Sequence, residues 1–207
     1  MELLDIIYLL PGILLGFTFH ELAHAQTAVW LGDDTPRYQG RLSANPFVHI
    51  DIWGLLLIIV AGFGWAKPVQ INPNNFKNKR RDDILVSLAG PIMNLFIAFV
   101  FLIIMKICYF IPTSILNDNL YYVLMNIFKN AVWINVVLFI FNLLPIPPLD
   151  GSHIFSDIFK LNEKNFHPNL YTMSKFLLPV LIITNLIDYI IVPPVSTVYN
   201  YLIGVFF

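Results

Sequence analysis

Three uninterrupted apolar stretches, each longer than a lipid bilayer demands, restrict this chain more than any other feature. Ile6–Leu31 carries one formal charge, Glu21; Ile84–Ile111 carries only Lys106; Leu120–Leu144 carries only Lys129. Hydrocarbon about 30 Å thick is crossed by about 20 apolar helical residues, so each stretch is long enough to span it. A fourth, Phe176–Val192, is just long enough and carries Asp188, after which Pro193-Pro194 is expected to stop it. The uncharged tail Val195–Phe207 is then expected to lie at an interface or pack on the bundle. Composition agrees with this class: 57% of the 207 residues are hydrophobic and 12% charged, against about 45–50% and about 25% in soluble domains. Such a chain has too little polar surface for a water-facing globule. The single cysteine, Cys108, forms no internal disulfide, and a net charge of -1 supplies no basic field for nucleic acid. The expected fold is an all-α integral membrane protein, a polytopic bundle of about four full spans forming a single domain over residues 1–207.

The run Ile52–Trp65 is about 14 residues long, a length that favours a re-entrant segment over a full crossing. The acidic Met1–Asp5 lacks the basic start of a signal peptide, so the first helix is expected to be retained. Ten of the twelve basic residues fall in two loops: Arg37, Arg41, Lys67, Lys77, Lys79, Arg80 and Arg81 between the first and second long stretches, and Lys160, Lys164 and Lys175 after the third. If Ile52–Trp65 returns to the side it entered from, both loops share one side, as the positive-inside rule prefers for the cytoplasm. The expected topology has its N-terminus outside.

The first stretch contains His20-Glu21-Leu22-Ala23-His24. Imidazoles at i and i+4 lie about 40° apart around a helix and about 6 Å apart along it. Both therefore reach one zinc ion, while the adjacent Glu21 is placed to act as general base on a water. Ionisable groups deep in a membrane helix are costly and mark function. A catalytic zinc needs a third protein ligand and an open position. The extended metzincin pattern is excluded by Thr27 and Trp30; a glutamate ligand from elsewhere could only be Glu2 or Glu163, and Glu163 lies in the polar stretch Asn162–Asn165, a poor place for a buried ligand. Asp150, just past the inner end of the third stretch, is better placed. Taken alone, Asp150 reads as a turn or cap residue before a short helix at Ser152–Phe159; beside a histidine pair lacking a third ligand, it reads as that ligand.

These residues resemble a known family. His20–His24, Gly90-Pro91-Ile92-Met93-Asn94 and Asn142-Leu143-Leu144-Pro145-Ile146-Pro147-Pro148-Leu149-Asp150-Gly151 are similar to the HExxH, GxxxN and NxxPxPxxDG elements of the site-2 proteases, intramembrane zinc metalloproteases. The segments Gly40–Asp51 and Gly64–Val69 look like the short bacterial and archaeal branch, which lacks PDZ and CBS domains. The resemblance implies that His20, His24 and Asp150 bind one zinc per chain, that Glu21 is the base, and that Asn94 and Asn142 bind substrate or stabilise the oxyanion. It implies a catalytic core over about residues 6–160, transmembrane protein substrates, and a prokaryotic cell membrane with the site nearer the cytoplasmic side. A homo-oligomer stays open.

Read without that likeness, Asn94 and Asn142 are interhelical glue. Tyr38–Asn45 and Lys67–Asn72 are expected to form a small membrane-associated β element offering an edge to an unwound substrate, alongside the carbonyls of the Pro145–Pro148 run. His49 and His167 read as loop residues, and His153 as a surface group or a partner of Asp150. Lys106, Lys129 and Asp188 are expected to snorkel outward. The competing class is a membrane zinc transporter or metal sensor. That class calls for ionisable residues in several spans, whereas Ile84–Ile111 offers only Lys106.

Overall fold

The structure, a computed structural model, describes residues 3–62, 64–112, 116–161 and 177–207. Glu2, Glu163, Lys164, His167 and Lys175 lie outside the described residues. The chain runs as α1 (Leu3–Trp30), α2 (Thr35–Tyr38), α3 (Pro46–His49), α4 (Ile52–Ala61), a short 3-10 turn (Pro73–Asn75), α5 (Lys79–Tyr109), α6 (Asp118–Asn142), α7 (Asp150–Ile158), α8 (residues 177–183) and α9 (Leu186–Phe206). Four of the described helices, α1, α5, α6 and α9, are long and apolar enough to cross a membrane.

Asparagine and aspartate side chains set the starts. Asn78 Oδ1 accepts from Arg81 N at the head of α5, Asn117 Oδ1 from Leu120 N at the head of α6, and Asp51 Oδ1 from Gly54 N at the head of α4. Each bond satisfies a backbone donor that the first helical turn leaves unpaired. With 10 residues, α4 rises about 15 Å, half the hydrocarbon thickness. It is not one of the four spans. Its apolar side chains Ile52, Trp53 and Val60 nevertheless point outward.

Close contacts fix the directions of the spans. A Cβ placed on Gly12 would lie 2.6 Å from Ala131 Cα, and one on Gly16 would lie 2.7 Å from Asn135 Oδ1. The contact partners advance by four residues on both helices, so α1 and α6 run parallel. The Gly12–Gly16 spacing is the small-residue pattern that lets membrane helices approach closely. His20 and His24 meet Asn94 and Val86 in the reverse order, so α5 runs antiparallel to α1. The main core lies where α5, α6 and α9 meet, around Leu102, Met105, Val132, Val136 and Val195.

Two expectations are corrected. The fourth span is Leu186–Phe206 rather than Phe176–Val192. The chain turns at Asn185, which adopts φ 56°, a left-handed conformation that asparagine tolerates better than most residues. Pro193 and Pro194 lie inside α9 rather than at its end. Membrane helices tolerate proline better than soluble ones do, and α9 continues through the pair, with Thr197 Oγ1 donating to Pro193 O at 2.9 Å one turn further on. The tail expected to lie at an interface or pack on the bundle thus completes the span, and Lys106 Nζ donates to Phe206 O at 2.6 Å while lying over the Phe207 ring. The second correction concerns the β element. Among the described residues there is no strand, only an isolated antiparallel bridge between Ile50 and Ala66. Tyr38 instead ends α2 and Gly40 turns the chain with φ 67°, while the Lys67 carbonyl is taken by the Arg41 guanidinium.

The α1–α6 contact yields a stability test. Gly12→Ala drives a methyl into Ala131 and is expected to cost about 1–3 kcal/mol, lowering the thermal midpoint in detergent. Gly204→Ala meets nothing within 4 Å and should leave the midpoint unchanged or raise it. Equal midpoints for the two variants contradict this packing.

Candidate metal centre

The long apolar α1 carries His20, Glu21 and His24 into the interior, where they are 8%, 8% and 6% exposed. Asp150 arrives from the opposite end of the sequence. The proline run ends α6, and α7 begins at Asp150 itself, with Leu149 in the capping position. The Asp150 side chain does not cap that helix. Its Oδ2 lies 3.2 Å from His20 Nε2 and 3.3 Å from His24 Nε2.

Hydrogen bonds behind the histidines decide which ring nitrogens carry protons. Asn94 Nδ2 donates to Gly16 O and to Asn135 Oδ1, both at 3.1 Å, which leaves Asn94 Oδ1 as an acceptor. His20 Nδ1 donates to that oxygen at 2.6 Å. His24 Nδ1 donates to the Val86 carbonyl at 2.7 Å. Both imidazoles thereby donate through Nδ1, and Nε2 is the ring atom turned toward the cluster. The two Nε2 atoms stand 2.9 Å apart. Asp150 Oδ2 is buried and has no hydrogen-bond partner among the described residues. Three potential ligand atoms from three residues therefore converge, all within 4.8 Å of one another. Burial of such a set is costly unless a cation joins it.

The donor set fits zinc: two imidazoles and a carboxylate, with room for a fourth ligand. Gly90 supplies a second observation of fit. A Cβ at that position would lie 2.4 Å from His24 Nε2 and 2.6 Å from His20 Nε2, in the space the ligand atoms face. Only the absence of a side chain keeps that space open.

Glu21 is held through one of its oxygens. Its Oε2 accepts from Val69 N at 2.7 Å and lies 3.6 Å from Arg41 Nη2. The two asparagines expected to touch substrate sit differently from each other. Asn94 is fully buried behind His20, and its amide is fully engaged. Asn142, the last residue of α6, donates to Leu138 O at 2.9 Å and makes no hydrogen bond to the cluster among the described residues.

Several site residues escaped the sequence reading. Asn135 continues the chain behind His20, donating to Gly12 O and Ala131 O; a polar amide within an apolar stretch was the available signal. Arg41 is 4% exposed rather than a loop charge in water. His49 is fully buried, not a bland loop residue, and its Nε2 donates to Ser43 O at 2.6 Å; burial pulls its pKa below the ordinary value. His153 pairs with Asp83 at 3.4 Å rather than with Asp150, and the hydrogen bond to Asp83 raises its pKa.

Comparison with known proteins places this arrangement. The model of peptidase family M50 matches residues 110–181, a stretch holding Asn142, the proline run and Asp150. A Bacillus subtilis protein named "Putative zinc metalloprotease YwhC" is 42% identical over 190 residues, covering 90% of this chain and 84% of that protein. The chain belongs to family M50, the site-2 protease family. Two further relatives are more distant. "Putative zinc metalloprotease MJ0611" of Methanocaldococcus jannaschii is 33% identical, covering 67% of this chain and 64% of its own length. "Putative zinc metalloprotease Rip2" of Mycobacterium tuberculosis is 31% identical, covering 70% of this chain and 54% of its own length. No solved structure matches the chain. Membership in M50 makes this a metallopeptidase of a zinc-dependent family, and the four apolar helices make it a membrane protein.

Gly90→Ala is expected to weaken zinc binding by more than tenfold while helix content stays at the wild-type level. Asn94→Ala, which releases the His20 ring, should weaken zinc by about 10–100-fold. Titration with a competing chelator measures both, and wild-type affinity in Gly90→Ala contradicts the crowding argument.

Proposed function

We propose that this M50 chain is an intramembrane zinc metalloprotease that cleaves peptide bonds within or near transmembrane segments of membrane proteins. The convergence of His20 Nε2, His24 Nε2 and Asp150 Oδ2 beside Glu21, on a helix long enough to span a bilayer, carries the reading. The three residues hold one zinc. A zinc ion held by these residues would supply Lewis-acid polarisation of a carbonyl and a lowered pKa for a bound water.

The chain's own groups do the rest. The Glu21 carboxylate takes the proton from the attacking water and delivers it to the departing amine. The Nδ1–H bonds to Asn94 and Val86 keep both rings facing the ion. Asn94 has no donor left for an oxyanion, so it orients His20, and Asn142 is the amide offered to the substrate. A transmembrane substrate hides its carbonyls in its own helix and must unwind to be cut. The Pro145, Pro147 and Pro148 carbonyls, in a stretch barred from helical bonding, offer it replacement partners.

Depth and side follow from the spans. His24 lies six residues before the end of α1, about 9 Å along the axis. The basic loops flank that end, which favours the cytoplasmic side of a prokaryotic cell membrane and water entry from there. Lipid surrounds the bundle, and nucleic acid has no part.

The test uses purified protein in detergent with a single-span substrate. Wild-type chain should cleave it, a chelator should stop cleavage, and added zinc should restore it. Glu21→Gln should keep about one zinc per chain and lose at least a hundredfold in turnover, since general base catalysis contributes about 10²–10⁴. Normal cleavage by Glu21→Gln defeats the mechanism. Zinc uptake into vesicles without any cleavage favours the transporter instead.

A further inference from the structure

The segment between α1 and α5 folds back onto α1, and its tightest point is Arg41. This side chain is 4% exposed, an expensive place for a permanent charge unless it is fully partnered. Its partners come from three separate pieces of chain. Nη1 donates to Val48 O at 2.5 Å, at the end of α3; Nη2 donates to Lys67 O, beyond α4; and Nη2 also lies 3.6 Å from Glu21 Oε2. The carbonyls belong to the two arms of the hairpin that carries α4. Those arms are further joined by Lys67 N donating to His49 O at 2.8 Å and by the Ile50–Ala66 bridge. Two residues beyond Lys67, the Val69 N–H donates to the same Glu21 oxygen at 2.7 Å.

We infer that Arg41 is a positioning residue for Glu21, an inference that rests on Glu21 being the base. By clamping the Lys67 carbonyl, the guanidinium fixes where the Val69 N–H sits. By facing Oε2 itself, it holds the same oxygen from a second direction. Both contacts fall on Oε2, which leaves Oε1 to take the proton. A staple serving the loop alone would need only the two carbonyls; here the third partner is the carboxylate that performs the chemistry. Lysine cannot substitute, because a point ammonium lacks the planar fork that reaches two carbonyls and a carboxylate together. The Gly40–Asp51 and Gly64–Val69 segments thereby form a frame that aims the base.

The full chain in detergent tests this, with kcat, KM and zinc content measured on a single-span substrate. Arg41→Ala should keep wild-type zinc, since Arg41 touches none of His20, His24 and Asp150. Its kcat should fall about 10–100-fold, the scale of an ångström-level misplacement, with KM within about threefold of wild type. Added ethylguanidinium should restore part of the lost kcat, whereas ethylammonium should not. If Arg41→Ala does not fold, Arg41→Lys serves, with the same kcat loss expected at wild-type zinc. Turnover within twofold of wild type in a folded Arg41 variant, or turnover lost only in step with zinc, overturns the role. Equal recovery with ethylammonium also overturns it. Glu21→Gln run in parallel separates the two readings. If that variant cleaves normally, the base assignment falls and this inference with it; if it is inactive while Arg41 variants are normal, only this inference falls.

Discussion

Two imidazoles and a carboxylate, turned toward one another in a buried space, are the interaction from which the rest of the structure follows. Water would solvate such groups, but here they are buried, so each must be satisfied by a specific partner. Proton donation from His20 to Asn94 and from His24 to Val86 uses up one side of each ring. Asp150 occupies the other side, and Gly90 keeps the space between them clear. The close approach of α1 and α6 at Gly12 and Gly16 lets Asn135 reach Asn94, so helix packing and ring orientation are one problem.

Chain direction is the second constraint. Asp150 meets His24 because α1 and α6 run parallel, and they run parallel because one long span, α5, separates them while α4 rises only about 15 Å. A fully crossing α4 would reverse α1 and carry its histidines away from the end where Asp150 emerges. The short helix therefore matters to the chemistry twice. It preserves the parity of the spans, and its two flanking arms carry Val48, Lys67 and Val69 to Arg41 and Glu21.

The sequence made the first three spans legible because uncharged runs of that length have one physical outcome. The histidine pair was legible because its spacing matches the helical repeat, and Asp150 because the pair lacked a third ligand. What stayed hidden was long-range. Pro193-Pro194 looks like a stop from local chemistry, yet Ile191 and Val195 on either side of it are packed into the core with α5 and α6, and α9 continues through it. The segments 38–45 and 67–72 are expected from sequence to offer a sheet edge, but Tyr38 belongs to α2, Gly40 turns the chain, and a buried guanidinium takes the Lys67 carbonyl. Asn94 carries the same motif letter whether it touches substrate or ring; only its neighbours Gly16, His20 and Asn135 show that its hydrogen bonds are already spent. Arg41 looked like one more cytoplasmic charge because nothing local reveals that Glu21 lies beside it.

X-ray absorption at the zinc edge, on wild-type chain and on Asp150→Ala, tests the central claim most directly. The account predicts a first shell of two imidazole nitrogens at about 2.0–2.1 Å and oxygens at about 2.0–2.2 Å, with one oxygen replaced or the metal lost in Asp150→Ala. A purified chain that binds no zinc, or a first shell unchanged by Asp150→Ala, would contradict it.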